Sequence, residues 1–147
     1  MLSPILLEFF ERELLKLKEE ISLYTDERDI WEIRPGIGNP AGNLCLHLVG
    51  NLNHFVGNIL GNTGYIRNRE EEFSLKNIPR TELILSIEQT VLMLKNTLQA
   101  YSEADFDKSY PIEKHGSLQT RRYMLIHLLS HLNYHLGQVN YHRRLIS

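Results

Sequence analysis

Two long stretches without a formal charge constrain this chain more than any other feature. Between Arg34 and Arg67 there is no Asp, Glu, Lys or Arg, and the same holds between Arg122 and Arg143. Both stretches carry Leu, Val and Ile at helical spacing, and a helix uncharged on every face is normally buried on every face. Such helices form the inner pair of a bundle or bury one face against a second copy of the chain, and a homodimer is the favoured expectation.

The first uncharged helix, helix 2, is expected from near Pro40, with Asn39 as its cap, to about Gly61-Asn62; helix 4 is expected from after Thr120 to about Arg144. Two amphipathic walls complete the set. Helix 1, from about Pro4 to Tyr24, places Leu7, Phe10, Leu14, Leu17 and Ile21 on one stripe, with Ser3 as cap and Pro4 in the first position. Helix 3, from about Thr81 to Tyr101, repeats the pattern with Ile84, Ile87, Val91, Leu94 and Leu98. No strand pattern competes, so the fold class expected is all-α, a four-helix bundle in one domain over residues 1–147. The connections at about 25–39, 62–80 and 102–119 are long. An extended chain covers ~3.3 Å per residue and a 22-residue helix only ~33 Å, so loop length leaves the topology open.

The formal charge of −2 and the lack of a basic stripe give no footprint for nucleic acid. The pairs Arg121-Arg122 and Arg143-Arg144 fall at helix ends, where local roles are expected. Cys45 is the only cysteine, which excludes an intrachain disulfide and fits a reducing cytoplasm. Glu8, Glu11 and Glu13 interrupt the first apolar run before a signal-peptide core forms, and no run of about 18 apolar residues exists to span a membrane.

Inside the uncharged helices run two polar seams. Asn43, His47, Asn51, His54 and Asn58 on helix 2, and His127, His131, His135, Gln138 and His142 on helix 4, both step by four, four, three and four. Each is therefore one stripe on one helical face. Unpaired buried polar groups cost about 1–3 kcal/mol each, so the seams are expected to satisfy each other or to converge on a metal. Residues four apart on a helix stand ~5–6 Å apart at Cβ, so His131 and His135 can reach one ion, and His47 is the third candidate ligand from the facing helix. Three neutral imidazoles would leave a divalent ion its full charge, and water or a thiol at its open side would lose a proton more easily. His54 and His127 share the seams as substitute ligands or as supports behind them, as does Asn51. A core histidine bonded to Asn or to a carbonyl fits the same spacing. His142 is expected to pair near the helix end and His115, beside Gly116, to lie at the surface.

Other sites are disfavoured. A ferritin-like di-iron centre needs inward Glu and Glu-x-x-His repeats, and neither uncharged helix has a carboxylate. Position 132 is Leu, so the zinc-protease helix motif is absent. A bis-histidine haem bundle is geometrically allowed but has no specific support.

The segment His131-Leu132-Asn133-Tyr134-His135-Leu136-Gly137-Gln138 resembles the HxxxHxGQ signature of the DinB/YfiT-like superfamily. Residues 43–51 resemble its second-helix motif, and residues 67–73, Arg-Asn-Arg-Glu-Glu-Glu-Phe, resemble a segment found after helix 2 in one uncharacterised branch. The resemblance implies an up-down-down-up bundle with a long crossover between helices 2 and 3. It also implies a divalent metal, zinc or nickel, on His47, His131 and His135. Leu136 departs from the pattern, since many relatives have Arg there. Gln138 is expected to orient a ligand or to bridge helices, and Gly137, at about 1 kcal/mol against Ala in a helix, to mark a close approach. The functional expectation is a metal-dependent enzyme acting on a small molecule, either a thiol-dependent transferase using a low-molecular-weight thiol or a hydrolase. Glu70, Glu71 and Glu72 are candidate bases by proximity only, and such a run is more commonly a solvated face. The alternative is a non-catalytic, stress-related metal-binding or dimeric interaction module.

Overall fold

The computed structural model describes residues 1–113 and 116–147, so the expectation for His115 lies outside the described residues. Among the described residues the chain is all-helical, apart from an isolated bridge between Ser109 and Thr120. Helix α1 spans Leu2–Leu23, and a 3-10 turn follows at Glu27–Trp31. Helix α2 spans Ala41–Leu52 and continues through a π turn, Asn53–Asn58, into a last turn, Ile59–Gly61. A short helix α3, Arg69–Ser74, precedes α4, Arg80–Leu98. Another short helix, α5, covers Glu103–Asp107, and α6 runs from Arg121 to Ile146.

The apolar stripes decide the packing. On α1 the fully buried line is Leu6, Phe10, Leu14, Leu17 and Ile21; Leu7 is only half-buried, one position off the inward face. On α4 the line is Leu83, Ile87, Val91, Leu94 and Leu98, and Ile84 is displaced to its edge. Each such side chain contributes about 1.5–3 kcal/mol on burial. Helix α1 packs along α4 and α6, while α2 packs against α3, α6 and α4. The 3-10 turn is pinned by Trp31, whose ring lies against Gly42 so closely that a Cβ there would overlap it.

Several helix ends differ from expectation. Ser3 does not cap α1: it lies inside the first turn, buried, and its hydroxyl donates to the Leu98 carbonyl at 2.7 Å. The cap position of α2 is Pro40, not Asn39, and no side chain closes that end. The long connections hold α3 and α5, which polar composition disguised as loops. Burial of the uncharged stretches also splits. Helix α2 is buried nearly all round, but α6 leaves Tyr123, Ile126, Tyr134 and Tyr141 exposed on an outer face without charge.

The π turn is the sharpest departure from α periodicity. It inserts an extra residue into the helical repeat, which changes which side chains face inward afterwards. Asn53 turns its amide back to the Val49 carbonyl at 2.8 Å and to Thr90 Oγ1 at 2.9 Å. The Phe55 carbonyl receives the Tyr110 hydroxyl at 2.7 Å, so the irregular turn is tied to the segment leading into α6.

Candidate metal centre

Helices α2 and α6 bring His47, His131 and His135 together, with one ring nitrogen from each within 4.8 Å of the others. His47 is buried, and the other two are half-buried. His47 Nε2 and His131 Nε2 stand 3.1 Å apart, and the rings of His131 and His135 meet edge to face at 4.6 Å. Nitrogens bound tetrahedrally to one zinc ion at ~2.0–2.1 Å would stand ~3.3 Å apart, so the spacing fits a shared ion.

Two neighbours set the protons. Glu72 Oε1 lies 3.0 Å from His47 Nδ1, and a carboxylate only accepts, so Nδ1–H donates and Nε2 carries the lone pair. Gln138 Oε1 lies 2.7 Å from His135 Nδ1 and imposes the same tautomer there. Metal-binding histidines characteristically donate their second N–H to a carboxylate or carbonyl-type oxygen in this way. His131 has no such partner; its Nδ1 is buried and unpaired.

Burial favours the neutral form of two of the imidazoles, His131 and His47. Burial, with the neighbouring His135 and His47 adding to it, pushes His131 down to about 4. Burial also lowers His47, partly offset by the hydrogen bond from its ring to Glu72. Neutral rings can ligate; protonated ones cannot.

Glu72 owes its position to a glycine and an arginine. It is buried beneath Gly50, where a Cβ would overlap its carboxylate. Arg67 grips the same carboxylate in a fork, Nε to Oε2 at 2.8 Å and Nη2 to Oε1 at 2.9 Å. The base of α3 is tied to α2 by Asn43, whose amide donates to the carbonyls of Glu72 and Leu75 at 2.9 and 2.8 Å.

Residues 10–147 match the model of a family described as a protein of unknown function (DUF1572). The chain belongs to this family. No curated protein matches it. The DUF1572 match takes in every residue of the centre, from His47 through Arg67 and Glu72 to Gln138.

The remaining seam residues of this DUF1572 chain separate. Asn51 is buried, and its Oδ1 has no hydrogen-bond partner. His127 lines the same cleft as His47, Asn51 and His131. His54 does not line it. The π turn brings Phe55 to the cleft instead, and His54 packs its ring against Phe55 at 4.8 Å. His142 lies buried away from the centre, Nδ1 to the Tyr24 hydroxyl at 2.5 Å and Nε2 to the Glu32 carbonyl at 2.8 Å. The seams meet at His47 and His131, while the Asn43 amide is turned to the backbone of α3 and Leu75. Nor does Gly137 mark a close approach, since a Cβ there would meet nothing within 4 Å.

Sequence reasoning named Glu72 only as one of three candidate bases and gave Arg67 no role at the centre; their joint contact with His47 was missed. Of the three consecutive glutamates, Glu70 and Glu71 are exposed as a solvated run should be, and only Glu72 turns inward. A usable signal was Gly50, three residues after His47 on α2, which leaves room for a side chain from elsewhere.

Two clefts flank the centre. One, of about 440 Å³, is lined by His47, Asn51, His131, Arg67, Arg69 and Glu113 among others. The other, of about 450 Å³, adjoins His135 and Gln138 and has no Asp, Glu, Lys or Arg in its wall.

Proposed function

We propose that this chain is a divalent-metal-dependent enzyme of the DinB/YfiT-like type, with His47, His131 and His135 as ligands to zinc or nickel. The reading is carried by one observation: three imidazoles converge, two of them with tautomers fixed so that the lone pair is on Nε2. In this reading α1, α2, α4 and α6 are the four rods of one up-down-down-up bundle, and residues 62–79 form the crossover that delivers Glu72.

Such an ion supplies Lewis acidity, which makes water or a low-molecular-weight thiol nucleophilic at neutral pH. The chain's own residues do the rest. Glu72, neutralised by Arg67, holds His47 rather than acting as a base, and Gln138 holds His135. The clefts on either side admit a small molecule to the open side of the centre, which suits transfer between two substrates or hydrolysis of one. No helix among the described residues is long and apolar enough to cross a membrane. The buried, unpaired Cys45 fits a cytoplasmic protein.

The exposed uncharged face of α6 favours a homodimer and keeps a second reading in play, a non-catalytic metal-binding interaction module. Elemental analysis of untagged protein purified without chelator, beside His47→Ala, His131→Ala and His135→Ala, tests the centre. About one zinc or nickel per chain, lost in all three variants, is expected. Metal-free protein that also refuses added zinc and nickel removes the metalloenzyme reading. Turnover of thiols with electrophiles, or of esters and amides, that disappears in His135→Ala separates enzyme from module. Sedimentation at micromolar concentration, with Tyr134→Asp as the disrupted control, tests the dimer.

A further inference from the structure

The cleft on the His131 side holds two arginines, and one of them has no carboxylate partner among the described residues. Arg67 is spent on Glu72 through its two-pronged grip. Arg69 is exposed and makes no ion pair with any carboxylate among the described residues; its guanidinium lies 5.4 Å over the Phe73 ring. Phe73 in turn packs against the His47 ring at 4.9 Å. One aromatic ring therefore separates a free guanidinium from a ligand candidate of the metal centre. With Arg67 paired to Glu72, the described wall of the cleft sets Arg69 against Glu113, and a divalent ion at the centre would tip its field positive.

A second observation points into the same cleft. Asn51 is 8% exposed, one helical turn beyond His47, and its Oδ1 is buried without a donor. A buried acceptor left bare is unfavourable, so this position is complementary to an N–H or O–H. One turn of α-helix is ~5.4 Å, a distance that a few covalent bonds span from an atom at the centre.

Resting on the metal-centre reading above, we infer that the substrate taken by this cleft is a small carboxylate-bearing molecule. Arg69 pairs with its carboxylate, and Asn51 Oδ1 accepts from a neighbouring N–H. Planar guanidinium matches carboxylate geometry, and the Phe73 face holds Arg69 in place for it. The neutral cleft beside His135 lacks such a cation and takes the uncharged partner.

N-acetylcysteine and N-acetylcysteamine differ only in the carboxylate, and both carry an amide N–H and a thiol. Their binding to Co(II)-loaded protein is read from the cobalt ligand-field spectrum at fixed pH. An exposed charge pair is weak, so about a five-fold preference for N-acetylcysteine is expected, shrinking with added salt. Arg69→Gln should bring the two affinities together, Arg69→Lys should keep part of the gap, and Asn51→Leu should weaken both ligands alike. Equal affinities in the wild type, an undiminished preference in Arg69→Gln, or a cobalt spectrum that neither thiol perturbs overturns the inference and leaves the metal centre standing. Failure to load cobalt, zinc or nickel removes the metal centre and the inference together.

Discussion

His47 and Glu72, 25 residues apart in sequence, are joined by a hydrogen bond of 3.0 Å that decides which nitrogen of the imidazole is free. The carboxylate arrives from α3 and fits only because position 50 lacks a side chain. A candidate ligand histidine is thus positioned by a residue of the segment between α2 and α4.

Glu72→Gln keeps the size of this side chain but removes the charge that fixes the His47 proton and balances Arg67. Loss of such a partner typically weakens metal affinity 10–100-fold. Competition with a chromophoric zinc chelator measures it, and unchanged affinity would mean that Glu72 serves only to hold α3 in place.

Two glycine substitutions should move stability in opposite directions. Gly50→Ala forces the Glu72 carboxylate out of its notch and should cost about 1–3 kcal/mol, with weaker zinc binding beside it. Gly137→Ala, on the open face of α6, should stabilise by up to about 1 kcal/mol. Urea denaturation of both variants reads the difference directly.

How much of this was legible beforehand depended on periodicity. Phe10, Leu14 and Leu17 on α1 obey the 3.6-residue repeat, so their inward face could be read from spacing, and so could the meeting of His131 with His135. His54 could not be placed, because a π turn has no periodic signature and substitutes Phe55 at the cleft. Glu72 stayed hidden because one inward carboxylate among three looks like three solvated ones. For Tyr134 and Tyr141 lack of charge left two options, the bundle interior or a second copy, and within one chain their face is exposed.

Acid should destabilise the fold through His142, even without metal. The Glu32 carbonyl can only accept, so His142 Nε2–H donates to it and Nδ1 accepts the Tyr24 hydroxyl. Burial lowers this histidine below its ordinary 6.5. The unfolded chain therefore takes up the proton first. The stabilisation is complete above about pH 6.5 and is lost as the pH falls through the lowered folded value. Thermal melts of metal-free protein from pH 8 to pH 4.5 should show this slope, and His142→Gln should make it shallower, the lowered His131 and His47 keeping the rest, at the cost of a lower starting Tm.

Zinc should raise the melting temperature in proportion to its binding. A ligand at one hundred times its Kd stabilises by about 2.7 kcal/mol. The shift should vanish in His47→Ala and persist in His54→Ala, since His54 is not part of the three-histidine cluster. A shift that survives His47→Ala would place the binding elsewhere.

The centre draws on α2, on the crossover and on α6, with 84 residues of chain between His47 and His131. No short stretch of the nascent polypeptide contains it. An ion held there acts as a clasp, closing the first half of the chain onto the last helix. Cutting the crossover anywhere between Gly61 and Arg67 would leave both rods intact yet free the strut that steadies the clasp. Occupancy of the centre would therefore report that the chain has finished folding.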